Sequence, residues 1–129
     1  MIDLVPQIIT LLKSELENVN VKSSFDGTHS KFPIVVVSEV ENIINMNTIT
    51  SDEAKTYNVS FNINIFDIGN KRKENVKLIR DKIDLILNNK YKMNRNVSQE
   101  VENYIDNTIY RWLLQYSCVV DNNEKIYRG

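Results

Sequence analysis

Residues 57–66, YNVSFNINIF, alternate with a period of two. Tyr57, Val59, Phe61, Ile63 and Ile65 fall on one side, and Asn58, Ser60, Asn62 and Asn64 on the other. This predicts a long strand with one apolar and one amide-rich face. A second long strand is predicted over residues 108–120, TIYRWLLQYSCVV, where both faces are apolar. Tyr110, Trp112, Leu114 and Tyr116 share one, and Ile109, Leu113 and Val119 the other. Near the N-terminus, Leu4, Ile8, Leu11, Leu12 and Leu16 recur at helical spacing, with Lys13, Ser14, Glu15 and Glu17 opposite them, so an amphipathic helix is expected over about residues 2–18. Asp3 is a candidate N-cap, and Pro6 is tolerated in or near the first turn.

The remaining pattern fills in a sheet. Residues 19–25 read as a strand, DGTHSK as a turn, and FPIVVVSEVEN as a second strand, so that a hairpin is expected. The β-branched run from Ile34 to Val37 suits burial. Residues 45–55 are polar and unpatterned and read as an exposed loop. A second helix is expected over about residues 71–88, capped by Asn70, with Val76, Ile79, Ile83, Ile86 and Leu87 inward and Arg80–Asp84 as an i,i+4 pair outside. A short strand around residues 93–97 and a terminal edge strand in KIYRG complete the order. The expected architecture is α+β: an antiparallel sheet of about four strands with two helices packed on one face, in a single domain over residues 1–129. Since only one face of the 108–120 strand meets the helices, the other is a candidate contact surface for self-association.

Composition narrows the function classes. The 129 residues carry a formal net charge of −1, which argues against a dedicated nucleic-acid binder. Heavy use of Asn, Ile and Lys fits an AT-rich genome, such as that of a low-GC bacterium or its phage. The single cysteine, Cys118, precludes an internal disulfide and a Cys-based zinc site within one chain. Asp3 stands where a secretory signal would be positive, and the first apolar run is too short to span a membrane, so an intracellular protein without membrane association is expected.

Catalytic chemistry is not legible. His29, the single histidine, sits in a turn with nothing to complete a triad. The carboxylate pairs Asp52–Glu53, Asp81–Asp84 and Glu100–Glu102 lie in polar stretches and read as solvated. With three glycines in the chain, a phosphate-cradling loop is not expected. Tyr110, Trp112 and Tyr116 with Arg111 resemble a base-stacking platform, but the apolar neighbours Leu114, Cys118 and Val120 favour core or interface packing. No catalytic, cofactor-binding or metal-binding residue is assigned, and no cofactor is expected.

The order of parts carries a resemblance. An N-terminal amphipathic helix, a hairpin whose second strand is entered through FPIVVV, the alternating YNVSFNINIF leading into a helix, and TIYRWLLQYSCVVD with a terminal KIYR together resemble the tail terminator, or tail-completion, proteins of long-tailed phages and phage-derived tail particles. That resemblance implies a non-enzymatic structural protein. It implies a ring, typically sixfold, that caps the tail tube, joins it to the neck or connector of the capsid, and lets DNA pass through its lumen without gripping it. It also implies assembly in the host cytoplasm and residence in the mature particle. Candidate self-contacts are Tyr110, Trp112, Leu113 and Tyr116. Candidate partner-binding loop residues are Asp52, Glu53, Lys90 and Lys92. Two alternatives stand beside this reading: another neck or head-completion ring of the same tail, and an unrelated cytosolic enzyme or small-molecule binder on an α+β scaffold.

Overall fold

The computed structural model describes residues 4–23, 31–44, 56–102, 108–121 and 126–127. Helix α1 (Val5–Glu15) leads to a short strand β1 (Asn20–Lys22) and then to β2 (Ile34–Ile44). Strand β3 (Thr56–Asp67) precedes helix α2 (Arg72–Asp84), which runs on as a π-helical turn (Leu85–Lys90). Strands β4 (Asn94–Val101), β5 (Tyr110–Asp121) and the two-residue β6 (Ile126–Tyr127) follow. The chain is an α+β fold in which the strand order is β1-β2-β3-β5-β4, with β6 beside β5.

The sheet is mixed. Strand β1 pairs with β2 in parallel, Val21 opposite Val35, and does not form the expected hairpin. Leu16 turns the chain out of α1 in extended conformation, and Asn18 takes the left-handed conformation that Asn tolerates better than most residues. The chain thus leaves the helix already beside the start of β2. The remaining pairings are antiparallel. Residues 24–30, with the expected turn and His29, lie outside the described residues, as does the loop over 45–55.

Alternation in β3 decides the layers. Val59, Phe61, Ile63 and Ile65 are buried beneath the helices. Helix α1 packs on β1 and β2, and α2 on β3 and β5. Leu4, Ile8, Leu12 and Leu16 from α1 and Val76, Ile79, Ile83, Ile86 and Leu87 from α2 and its π turn complete this core. The run Ile34–Val37 is buried on both sides. Val35 and Val37 join the main core, whereas Ile34, Val36 and Phe66 form a smaller cluster on the opposite face with Phe32 and Ile109 against it.

The helix termini differ in detail from expectation. α1 begins at Val5 with Leu4 at the cap position, and α2 begins after Lys71, not Asn70, with no side-chain cap on either. The entry to α2 is set from β3: buried Asp67 accepts from the Ile68 N–H at 2.8 Å and from Asn75 Nδ2 at 3.0 Å. Gly69, at φ 95°, supplies the left-handed residue of the turn between them.

Cys118 is buried among these core residues, and burial pushes its thiol up to about 12. Since the thiolate is the reactive form, native protein at pH near 8 should resist alkylation, and unfolded protein should be labelled promptly. Mass spectrometry after a timed pulse of iodoacetamide checks this. Equal labelling in both states would contradict the placement of β5.

Candidate functional site

The two helices cover one face of the sheet and leave the other open. On the open face, cross-strand register sets Asn58, Asn62 and Asn64 beside Val119, Gln115 and Leu113, and Ser60 beside Ser117. Strand β4 adds Val97 and Gln99 opposite Gln115 and Leu113. The amide face of β3 and the second apolar face of β5 are therefore one surface. Leu113 and Val119 are interspersed with amides and hydroxyls and are only partly exposed.

None of these residues is charged, in a chain of which 26% is charged. The outward residues of α2 make the contrast, since Lys73, Glu74, Lys77, Asp81 and Lys82 are all exposed. Loss of charge, more than apolarity itself, distinguishes the central part of protein contact surfaces. Arg111 marks the border of this surface and is fixed there by its Nε donating to Asn64 Oδ1 at 2.9 Å and by its guanidinium lying 5.6 Å from the Phe66 ring centre. In the middle, Asn62 Oδ1 is buried with no hydrogen-bond partner among the described residues. Such an acceptor costs about 1–3 kcal/mol unless a donor reaches it.

The candidate contact residues divide between the two faces. Tyr110 and Tyr116 are buried on the helix side, and the Tyr116 ring stacks 6.0 Å from Phe61. They belong to the subunit core and are removed as surface contacts, because α2 lies over them. Trp112 is on the same side, partly buried, with Arg80 4.6 Å from its ring centre and Nε1 donating to Ser98 Oγ at 3.0 Å. Leu113 alone of the four reaches the open face. Lys90 ends the π turn and Lys92 precedes β4, both exposed. Asp52 and Glu53 lie outside the described residues.

One polar cluster at the margin of the core lies outside the sequence expectation. Asp84, expected to pair with Arg80 along the helix, accepts from the Tyr116 hydroxyl at 2.9 Å and pairs with Arg95 of β4 at 2.8 Å. Arg80 turns to Asp81 at 2.9 Å. These contacts span 32 and 11 residues of sequence, beyond what helical spacing reveals. The cluster ties α2 to the β5–β4 side of the sheet. Burial raises the Tyr116 hydroxyl well above its ordinary value, and its hydrogen bond to the Asp84 carboxylate raises it further.

Nothing in the described surface gathers catalytic groups. A depression of about 200 Å³ is bordered by Arg72, Lys73, Glu100, Glu102, Tyr110 and Arg111. Its charges nearly cancel, and two of its cations are engaged, Arg72 on the Gly69 carbonyl and Arg111 on Asn64. Among the described residues no group of three His, Cys, Asp or Glu could hold a metal ion, and no helix is long and apolar enough to cross a membrane. No protein-family model matches the chain, and no curated protein matches it.

Tyr116→Phe should destabilise the fold by about 1.5–3 kcal/mol at neutral pH, the range for a hydrogen bond to a charged partner. The unfolded chain releases the Tyr116 proton near pH 10, while the folded chain retains it, so this contribution is complete below about pH 10 and declines above. Urea titrations of both forms at neutral and alkaline pH should show the wild type losing more of its stability on the alkaline side. Equal stability of the two forms at neutral pH would rule out the Asp84 bond.

Proposed function

We propose that the chain is a structural subunit of a ring, acting as a tail terminator that caps a tail tube and offers a joining surface to the neck. The observation that carries the assembly part of this reading is the open face of the sheet. Between Arg111 and Asp121 at its two ends, no open-face residue of β3, β5 or β4 is charged. A neighbouring copy laid on this face would remove the remaining exposure of Leu113 and Val119 without stripping water from any charged group. The assignment to a tail, over another ring of similar build, rests on the resemblance in element order.

Such a function requires no reacting group. A terminator acts by preferring the end of a tube to free subunits, which is a difference between binding free energies. Polar groups left unpaired against a wrong partner supply that difference. The near-neutral composition suits a lumen that passes DNA, because a strongly basic lining would hold phosphates. Lys90 and Lys92 remain proposed contact residues on this reading, together with Leu113.

Leu113→Glu should yield folded monomer where the wild type gives a ring by light scattering, because a carboxylate would be desolvated in the contact. Trp112→Glu is the contrasting variant: on the helix side it should lower the melting temperature. Wild-type protein that stays monomeric at particle-like concentrations would end the assembly reading. Electron microscopy of tails made without this chain tests the assignment: overlong tubes are expected, and tubes of normal length that fail to join heads would reassign it to the neck.

A further inference from the structure

We infer that copies of this chain join head to tail through opposite edges of the sheet, the acidic edge of β2 in one copy meeting the basic end of β4 in the next. This rests on the ring-subunit proposal and adds which surfaces of the subunit meet. Strand β1 covers β2 only from Ile34 to Val36, and β4 closes the other side of the sheet. Past Val36, β3 is the one described strand beside β2, and β5 is the one described strand beside β4. β6 pairs with Val119 and Val120, beyond the Asn94 end of β4.

The charges on these two edges are opposite, and Glu39 and Arg95 end the same row. On β2, Glu39 and Glu41 are exposed; at the start of β4, Lys90, Lys92 and Arg95 are exposed. One row across the sheet runs Glu39, Phe61, Tyr116, Arg95, and the next runs Glu41, Ser60, Ser117, Asn94, with Lys92 two residues before Asn94. Both edge strands also bulge at this level, between Glu39 and Glu41 and between Arg95 and Val97. Arg95 pairs with Asp84 and Lys90 lies 5.6 Å from the Tyr91 ring centre; together with Lys92 they make this end of β4 basic toward the neighbour's glutamates. The acidic Glu100 lies in a different row, ending at Val35, where β1 covers the edge.

Charges and bulges on an edge strand are also how a lone subunit avoids pairing. Two features distinguish this case. Edges of one sign repel every copy, whereas edges of opposite sign repel β2 from β2 and β4 from β4 and attract β2 to β4. Further, Val40 and Ile43 on the β2 edge are 51% and 52% exposed, so that a neighbour covering this edge would also bury apolar surface. Because each step from β2 through β3 and β5 to β4 is antiparallel, the new pair is an antiparallel ladder that continues the sheet. Contact between two different surfaces of one chain is head-to-tail and closes into a ring when the rotation per copy permits. Leu113 lies one strand in from the β4 edge, opposite Gln99, so edge and open-face contacts adjoin.

A charge-swap pair tests this. Glu39→Lys with Glu41→Lys makes both edges basic, and Lys90→Glu with Lys92→Glu shifts the β4 edge to acidic. Each double variant alone should run as folded monomer by light scattering, with a wild-type circular dichroism spectrum. An equimolar mixture should recover an alternating oligomer, and raising the salt should weaken both it and the wild-type ring. If the lysine variant does not fold, Glu39→Gln with Glu41→Gln should still shift assembly to higher protein concentration. Double variants that each assemble like wild type, or a folded mixture that stays monomeric, would overturn the inference. A wild-type oligomer untouched by these changes but dissolved by Leu113→Glu would overturn it while sparing the ring proposal; a monomeric wild type would remove both.

Discussion

The register of β3 is the constraint on which the rest of the molecule depends. This strand is hydrogen-bonded along nearly its whole length on both sides, to β2 and to β5. Its alternation therefore dictates which side chains of both neighbours meet the helices. With Phe61 inward, Tyr116 is inward opposite it, and Asp84 of α2 comes within reach of the Tyr116 hydroxyl. A slip of one residue would send Asn62 and Asn64 under the helices and Phe61 and Ile63 outward. The cost of burying those amides without partners enforces the observed pairing.

Surface charge is sorted by the same arrangement. The outer side of α2 carries the charges that keep it in water, and the open face of β3, β5 and β4 carries none between Arg111 and Asp121. The sheet edges hold charge of opposite sign, Glu39 and Arg95 ending one shared row. A lone subunit has no evident use for this distribution. It gives a set of copies a low desolvation cost on one face and a directional attraction along the sheet, and this physical content supports the proposal of a ring.

Much of this fold was legible in the periodicities. The 2.0-residue pattern of β3 and the helical stripes of α1 and α2 placed both layers, since burial of an apolar stripe is a local property read off spacing. The β-branched run at Ile34–Val37 announced burial as well, although not that it serves two clusters on opposite faces. The parallel pairing of β1 escaped because two short strands joined by a turn read as a hairpin, and the pairing direction depends on where α1 leaves the chain. The partners of Asp84 escaped because helical spacing exposes only neighbours along one helix, while Tyr116 and Arg95 arrive through the sheet.

The sequence by itself placed large apolar residues on both sides of β5, Leu113 and Val119 on one and Tyr110, Trp112, Leu114 and Tyr116 on the other, of which only one side can meet helices. Which side was decided by tertiary structure, through the pairing of Tyr116 with inward-facing Phe61, and that choice made Tyr110 and Tyr116 core and Leu113 surface. Likewise, Glu39 and Arg95 were ordinary charges in separate polar stretches. Only the stacking of four strands in register set them on opposite edges of one row, because cross-strand neighbours are fixed by hydrogen-bonded pairing between distant segments and leave no trace in local spacing.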